Sequence, residues 1–168
     1  ISKEQWPDVL AVAEQFAVKL KESGLRYALI PEGASVPASV PGAATLALDL
    51  VRNMKDRGKT FSRLFIDSGT GMIAAVTLLA LSWMEIDLPV TVCLIAGGED
   101  TFKATLKQCH EWFEEWLKEK APMPGGYEMI LPGGGKPFGH VDADLLDRSI
   151  GLARSEGMLA DLVYTTKH

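Results

Sequence analysis

Long apolar runs are missing from this sequence. The longest, residues 71–84, is interrupted by Thr77 and Ser82. It is too short for a membrane span, which takes about 20 apolar residues. No run of Lys or Arg marks a patch for anionic lipid. The net charge is -5 and the pI about 5.2, which excludes a general nucleic-acid binder with its basic surface. Cysteine is scarce. Cys93 and Cys109 lie far apart with no metal-type spacing and read as reduced thiols of a cytoplasmic protein. Three histidines without paired ligands give no reason to expect a metal site. No signal or transit peptide is recognisable.

What is present is ordinary for a globular chain. Of 168 residues, 47% are apolar and 23% charged, enough for one domain with a full core. The expectation is a single α/β domain over residues 1–168. The chain starts at Ile1 rather than Met, so a C-terminal fragment of a longer chain is expected.

Periodicity alternates between helix and strand. Apolar residues at Val9, Leu10, Val12, Ala13, Phe16, Ala17 and Leu20 predict a helix over 6–23, closed by Gly24. A β-rich run at 26–30 ends at Pro31, and a Pro/Gly/Ser loop covers 31–42. A second helix is expected over 42–57. The continuous run Leu64-Phe65-Ile66 reads as a buried strand, followed by a turn and an apolar helix over 72–84. A strand is expected at 90–96, a helix at 101–120 and a strand at 127–131. A loop at 132–140, a helix at 142–156 and a last strand within 158–165 complete the chain. Such an order implies a Rossmann-like three-layer α/β/α fold with a mostly parallel sheet. Ligands of such sheets sit at the carboxyl ends of the strands.

The turn Asp67-Ser68-Gly69-Thr70-Gly71 lies at one such end. Its glycines let backbone N–H groups approach an anion, and the following helix dipole favours one. It matches neither the dinucleotide fingerprint nor a P-loop, and a tight polar connection is the plainer reading. The loop 131–137 (LPGGGKP) lacks the Ser or Thr of a P-loop after Lys136 and reads as a strand-end loop. His110 reads as solvated on a helix, and His140 lies in a loop where it would face a site. Tyr164 and Thr165 follow an apolar run. A Tyr there reads first as packing, since its ordinary pKa of about 10 needs tuning for proton transfer.

Four segments, taken in order, resemble a known family. Residues 156–167 (EGMLADLVYTTK) resemble the "EG-x-x-x-DPVYTGK" segment of the 1-aminocyclopropane-1-carboxylate (ACC) deaminase/D-cysteine desulfhydrase family. Those are fold-type II enzymes using pyridoxal 5'-phosphate (PLP). Residues 30–35 (IPEGAS) resemble its "IPxGGS" segment, residues 67–71 fall at its phosphate loop, and residues 138–142 (FGHVD) resemble a "YGxPD"-like segment. The resemblance implies a tryptophan synthase β-like PLP large domain, acting on a small amino-acid substrate and forming a homodimer. It implies that Ser68, Gly69, Thr70, Gly71 and Met72 cradle the PLP phosphate. Tyr164 would be a candidate catalytic acid/base, and Thr165 would face the pyridine nitrogen. A hydroxyl there would leave the ring a weaker electron sink than a carboxylate would. That leans toward a desulfhydrase-type lyase rather than a ring-opening deaminase, a hydrolase. Ala34, Phe138, Leu162 and Thr166 stand where the family has Gly, Tyr, Pro and Gly. The family's PLP-bearing lysine lies in an N-terminal half that is not matched in this sequence. Without it this chain alone would not be an efficient catalyst. The alternative is a non-catalytic small-anion or nucleotide-binding α/β module.

Overall fold

The computed structural model describes residue 2, residues 4–132 and residues 139–167. They form two compact units, Ile1–Val36 and Pro37–His168. In the first, a 3-10 turn Trp6–Asp8 leads into α1 (Val9–Glu22). Gly24 ends α1 with a positive φ of 71° and donates its N–H to the Lys21 carbonyl at 2.9 Å. The expected strand at 26–30 does not form. Its side chains Tyr27, Leu29 and Ile30 are exposed and the segment joins no ladder. β-propensity alone does not make a strand without a paired edge. A 3-10 turn Glu32–Ala34 follows, with Gly33 at φ 62° and Ala34 at φ 49°.

The second unit carries the α/β fold. α2 (Val40–Arg57) starts on Pro41 in its first turn, where a missing N–H costs nothing, and ends at Gly58 with φ 58°. β1 (Leu64–Ser68), α3 (Met72–Trp83), β2 (Val90–Leu94), α4 (Glu99–Leu117), β3 (Glu128–Ile130) and α5 (Ala143–Glu156) follow. The strands form one parallel sheet in the order β1-β2-β3. Leu64 pairs with Val90, Ser68 with Leu94, and Cys93 with Ile130. The expected α/β class with a parallel sheet is thus present. The last expected strand is not. Residues 158–164 are irregular and end in a 3-10 turn, Thr165–Lys167.

Alternate residues decide which sheet face is covered. Leu64, Ile66, Val90, Val92, Leu94 and Met129 belong to the core with α2, α3 and α4. α3 packs against both α2 and α4. Its sequence is apolar almost all round, as a helix buried on most sides must be. At its far end Trp83 meets Phe113 edge-on and donates its indole N–H to Glu119 at 2.8 Å. On the other face Phe65 is 62% exposed. Arg63 reaches across there to Glu128 at 2.6 Å and Thr91 at 2.8 Å. His110 is half-buried rather than solvated. Its Nε2 lies 2.8 Å from the Ala121 carbonyl oxygen and ties α4 to the chain leaving it.

Candidate functional site

β1 ends on Ser68, which is buried. Its carbonyl accepts the N–H groups of Ile95 at 3.0 Å and Ala96 at 3.2 Å, so the exit of β2 fixes the exit of β1. Gly69 and Thr70 make the bend, and Gly71 is the N-cap of α3 with φ 89°. An L-residue at that angle is strained. A Cβ on Gly71 would also stand 3.2 Å from Phe102 Cδ2 and 3.3 Å from Thr105 Cγ2, both on α4. Thr105 donates its hydroxyl to the Thr70 carbonyl at 3.4 Å. The positive φ favours glycine here, and a side chain would also crowd Phe102 and Thr105.

No side chain caps α3, and its first turn carries no acid. The first turn of a helix leaves N–H groups without intrahelical partners, with the positive end of the dipole behind them. Met72, the first residue of α3, is buried.

The C-terminal segment comes to this same end of β1. A Cβ on Gly69 would lie 3.1 Å from Tyr164 Oη and 3.2 Å from its Cε1, so the half-buried Tyr164 ring rests over Gly69. The Thr165 hydroxyl lies 3.4 Å from Asp67 Oδ2 and 3.0 Å from Asp161 Oδ2. The structure thus brings Ser68, Gly69, Thr70, Gly71, Met72, Tyr164 and Thr165 together although almost a hundred residues separate the two segments.

Asp161, given no role on sequence grounds, organises the second segment. Its Oδ1 accepts the N–H groups of Val163 at 2.9 Å and Tyr164 at 2.7 Å. Its Oδ2 accepts the N–H of Thr165 at 3.2 Å. Its carbonyl accepts from Thr166, from the N–H at 3.0 Å and the hydroxyl at 2.7 Å. Burial raises the Asp161 pKa, but the donors from Tyr164, Thr165 and Val163 outweigh it and hold the carboxyl below its ordinary value. Thr166, where the resembled family has Gly, is buried in this knot. Ser149 on α5 donates to the Ala160 carbonyl at 2.9 Å and ties the segment to that helix. The available signal was Asp161 itself, followed by successive backbone donors, a pattern typical of Asx turns.

Other candidates lie elsewhere. His140 is exposed, and its Nε2 is 3.7 Å from Asp142 Oδ2. Asp142 caps α5 by accepting the Leu145 N–H at 3.0 Å. Phe138 and most of the loop 131–137 lie outside the described residues. Cys93 and Cys109 are free and buried. Burial, and then the charge of Asp67, push the Cys93 thiol up to about 11. Burial takes Cys109 to about 11. Among the described residues no helix is long and apolar enough to cross a membrane. Nor do they hold any group of three or more His, Cys, Asp or Glu suited to a metal ion.

No family model matches the sequence, and no curated protein matches it. A solved structure, the crystal structure of an ACC deaminase homologue, shares the fold with a TM-score of 0.74 at 21% identity. The match covers 95% of this chain and 47% of that one. The chain thus spans about half the length of that protein.

Proposed function

We propose that this chain is the cofactor-side domain of a PLP-dependent enzyme acting on a small amino acid. The observation that carries the reading is the meeting of two segments at the carboxyl end of β1. One is the uncapped glycine turn at α3; the other is the Tyr164–Thr165 hook. The ordered resemblance of four segments and the fold shared with the ACC deaminase homologue support it.

The residues present fit the group. Ser68, Gly69, Thr70, Gly71 and Met72 would hold the phosphate, whose charge suits free N–H groups at a helix start. Filling Gly71 with a Cβ would crowd Phe102 and Thr105, which fits a position selected for a bare backbone. Bound PLP supplies an electron sink that eases proton loss from the α-carbon of an amino acid. Tyr164, resting over Gly69, would hold or move a proton at its Oη, and its ring would keep water from the turn. Thr165 would meet the pyridine nitrogen through its hydroxyl.

By residue type alone, a hydroxyl rather than a carboxylate at residue 165 leans toward D-cysteine desulfhydrase-like lyase chemistry over ACC deaminase-like hydrolysis. The lysine that would carry PLP covalently belongs to an N-terminal half not matched in this sequence. The exposed Phe65 on the sheet face suits a surface for that half or for a second copy in a homodimer. The two free buried thiols suit a reducing, cytoplasmic setting.

The test is PLP titration of the chain alone, and of the chain joined to a lysine-bearing half, followed by tryptophan fluorescence and visible absorbance. Saturable binding by the first and a visible band from the second are expected. Absence of both would sink the reading. Binding of inorganic phosphate as tight as that of PLP would favour the small-anion module instead.

A further inference from the structure

The Thr165 hydroxyl has one proton, and its neighbours decide where that proton points. Asp161 Oδ2 at 3.0 Å and Asp67 Oδ2 at 3.4 Å both stand within hydrogen-bond reach. Both are acceptors when ionised. Asp161 is the nearer and also receives the Thr165 N–H. The hydroxyl proton is therefore committed to a carboxylate, and the oxygen has only lone pairs left to offer a ligand.

We propose that Asp161 is a positioning residue that turns Thr165 into an acceptor, so that the ligand atom opposite must be a donor. The proposal rests on the PLP reading above. For PLP it means a ring nitrogen that carries its proton, held by Thr165 Oγ1 with two carboxylates behind it. This reverses the expectation from residue type alone, in which a hydroxyl leaves the ring unprotonated and a weaker electron sink. A carboxylate acting through one hydroxyl supplies what a direct carboxylate contact would.

The arrangement also explains why both carboxylate oxygens of Asp161 are used. Oδ1 fixes the backbone of Val163 and Tyr164, which sets the Tyr164 ring over Gly69. Oδ2 fixes residue 165 in both backbone and side chain. In Asp161→Asn the amide oxygen would still serve Val163 and Tyr164. The amide nitrogen would replace Oδ2, give up the Thr165 N–H that Oδ2 accepts and donate to Thr165 Oγ1. The hydroxyl proton would then be released toward the ligand, and the ring nitrogen would become the acceptor.

The experiment binds PLP labelled with nitrogen-15 in the ring to the full 168-residue chain. The nitrogen shift is read at a pH where free PLP has lost its ring proton. The wild-type complex is expected to show a protonated nitrogen and Asp161→Asn an unprotonated one, with circular dichroism unchanged. Thr165→Val keeps the backbone N–H to Asp161 and serves if Asp161→Asn does not fold; it too is expected to lose the protonated signal. PLP affinity should fall roughly tenfold in Asp161→Ala, the scale of one charge-assisted hydrogen bond. An unprotonated nitrogen in the wild-type complex overturns the inference and leaves the PLP reading standing. A nitrogen protonated equally in the wild type and the variants also overturns it. Failure of the wild-type chain to bind PLP at all removes the PLP reading and this inference with it.

Discussion

The starts of α3 and α5 are built from the same backbone and finished in opposite ways. α5 begins with Asp142, whose carboxylate accepts the Leu145 N–H, and has Asp144 in its first turn. The protein's own negative charge satisfies that helix end. α3 begins with Gly71, without a side-chain cap and without an acid in its first turn. An N-cap carboxylate stabilises a helix by about 1 kcal/mol, and α3 forgoes it at the carboxyl end of β1. The missing cap is not by itself distinctive, since α1 and α2 also lack a side-chain cap and a first-turn acid; what sets α3 apart is that its bare start meets the Tyr164–Thr165 hook at the end of β1. α4 lies between the two cases, with Gly98 as an uncapped N-cap but Glu99 and Asp100 in its first turn.

The largest break in the comparison should come from Gly71→Ala. The φ of 89° and the contact with Phe102 should together cost about 2 kcal/mol of stability. Thermal denaturation reads that loss, and PLP titration should show weakened binding of the turn. A substitution without loss in either measurement would mean that the turn is only a connection.

A carboxylate placed beside α3 should make it resemble α5. In Thr70→Asp, an exposed position just ahead of the cap, the new charge should weaken PLP binding by roughly tenfold through repulsion of the phosphate. Stability should change little. Isothermal titration against PLP and inorganic phosphate measures it.

The converse is Asp142→Ala. Loss of the cap should lower stability by about 1 kcal/mol and leave PLP affinity unchanged, read by urea denaturation and the same titration.

The smallest effect concerns Asp161. Its folded pKa is depressed, so its contribution is fully present above the unfolded value of about 3.9 and is lost as pH falls through the folded value. The stability difference between the wild type and Asp161→Asn should be constant from pH 5 to 7, on the order of the plateau that linkage requires, and shrink below about pH 4. A difference that persists to lower pH would show that packing, not charge, holds the hook.

The sequence made the first segment of the candidate site visible and hid the second's geometry. Gly69 and Gly71 stand out because they follow an apolar run and precede an apolar helix, a local pattern that needs no tertiary information. Tyr164 and Thr165 take their roles from resemblance, and the strand expected around them does not form. Residues 158–164 have strand-like composition, but backbone donors of 163, 164 and 165 go to the Asp161 carboxylate rather than to a ladder. The strand expected at 26–30 is absent for the same physical reason, since pairing partners are not written in a short apolar run. Helix bounds were legible to within a few residues, because Pro41, Gly58 and Asp142 mark ends by local chemistry.

α3 runs from the glycine turn at Met72 to Trp83, twelve residues and so about 18 Å. An indole and the candidate phosphate cup thus stand at opposite ends of one rigid, buried rod. A chromophore held at the cup would drain excitation from that indole by energy transfer. Trp83, one of four tryptophans in the chain, would then report optically on whether the cup is filled.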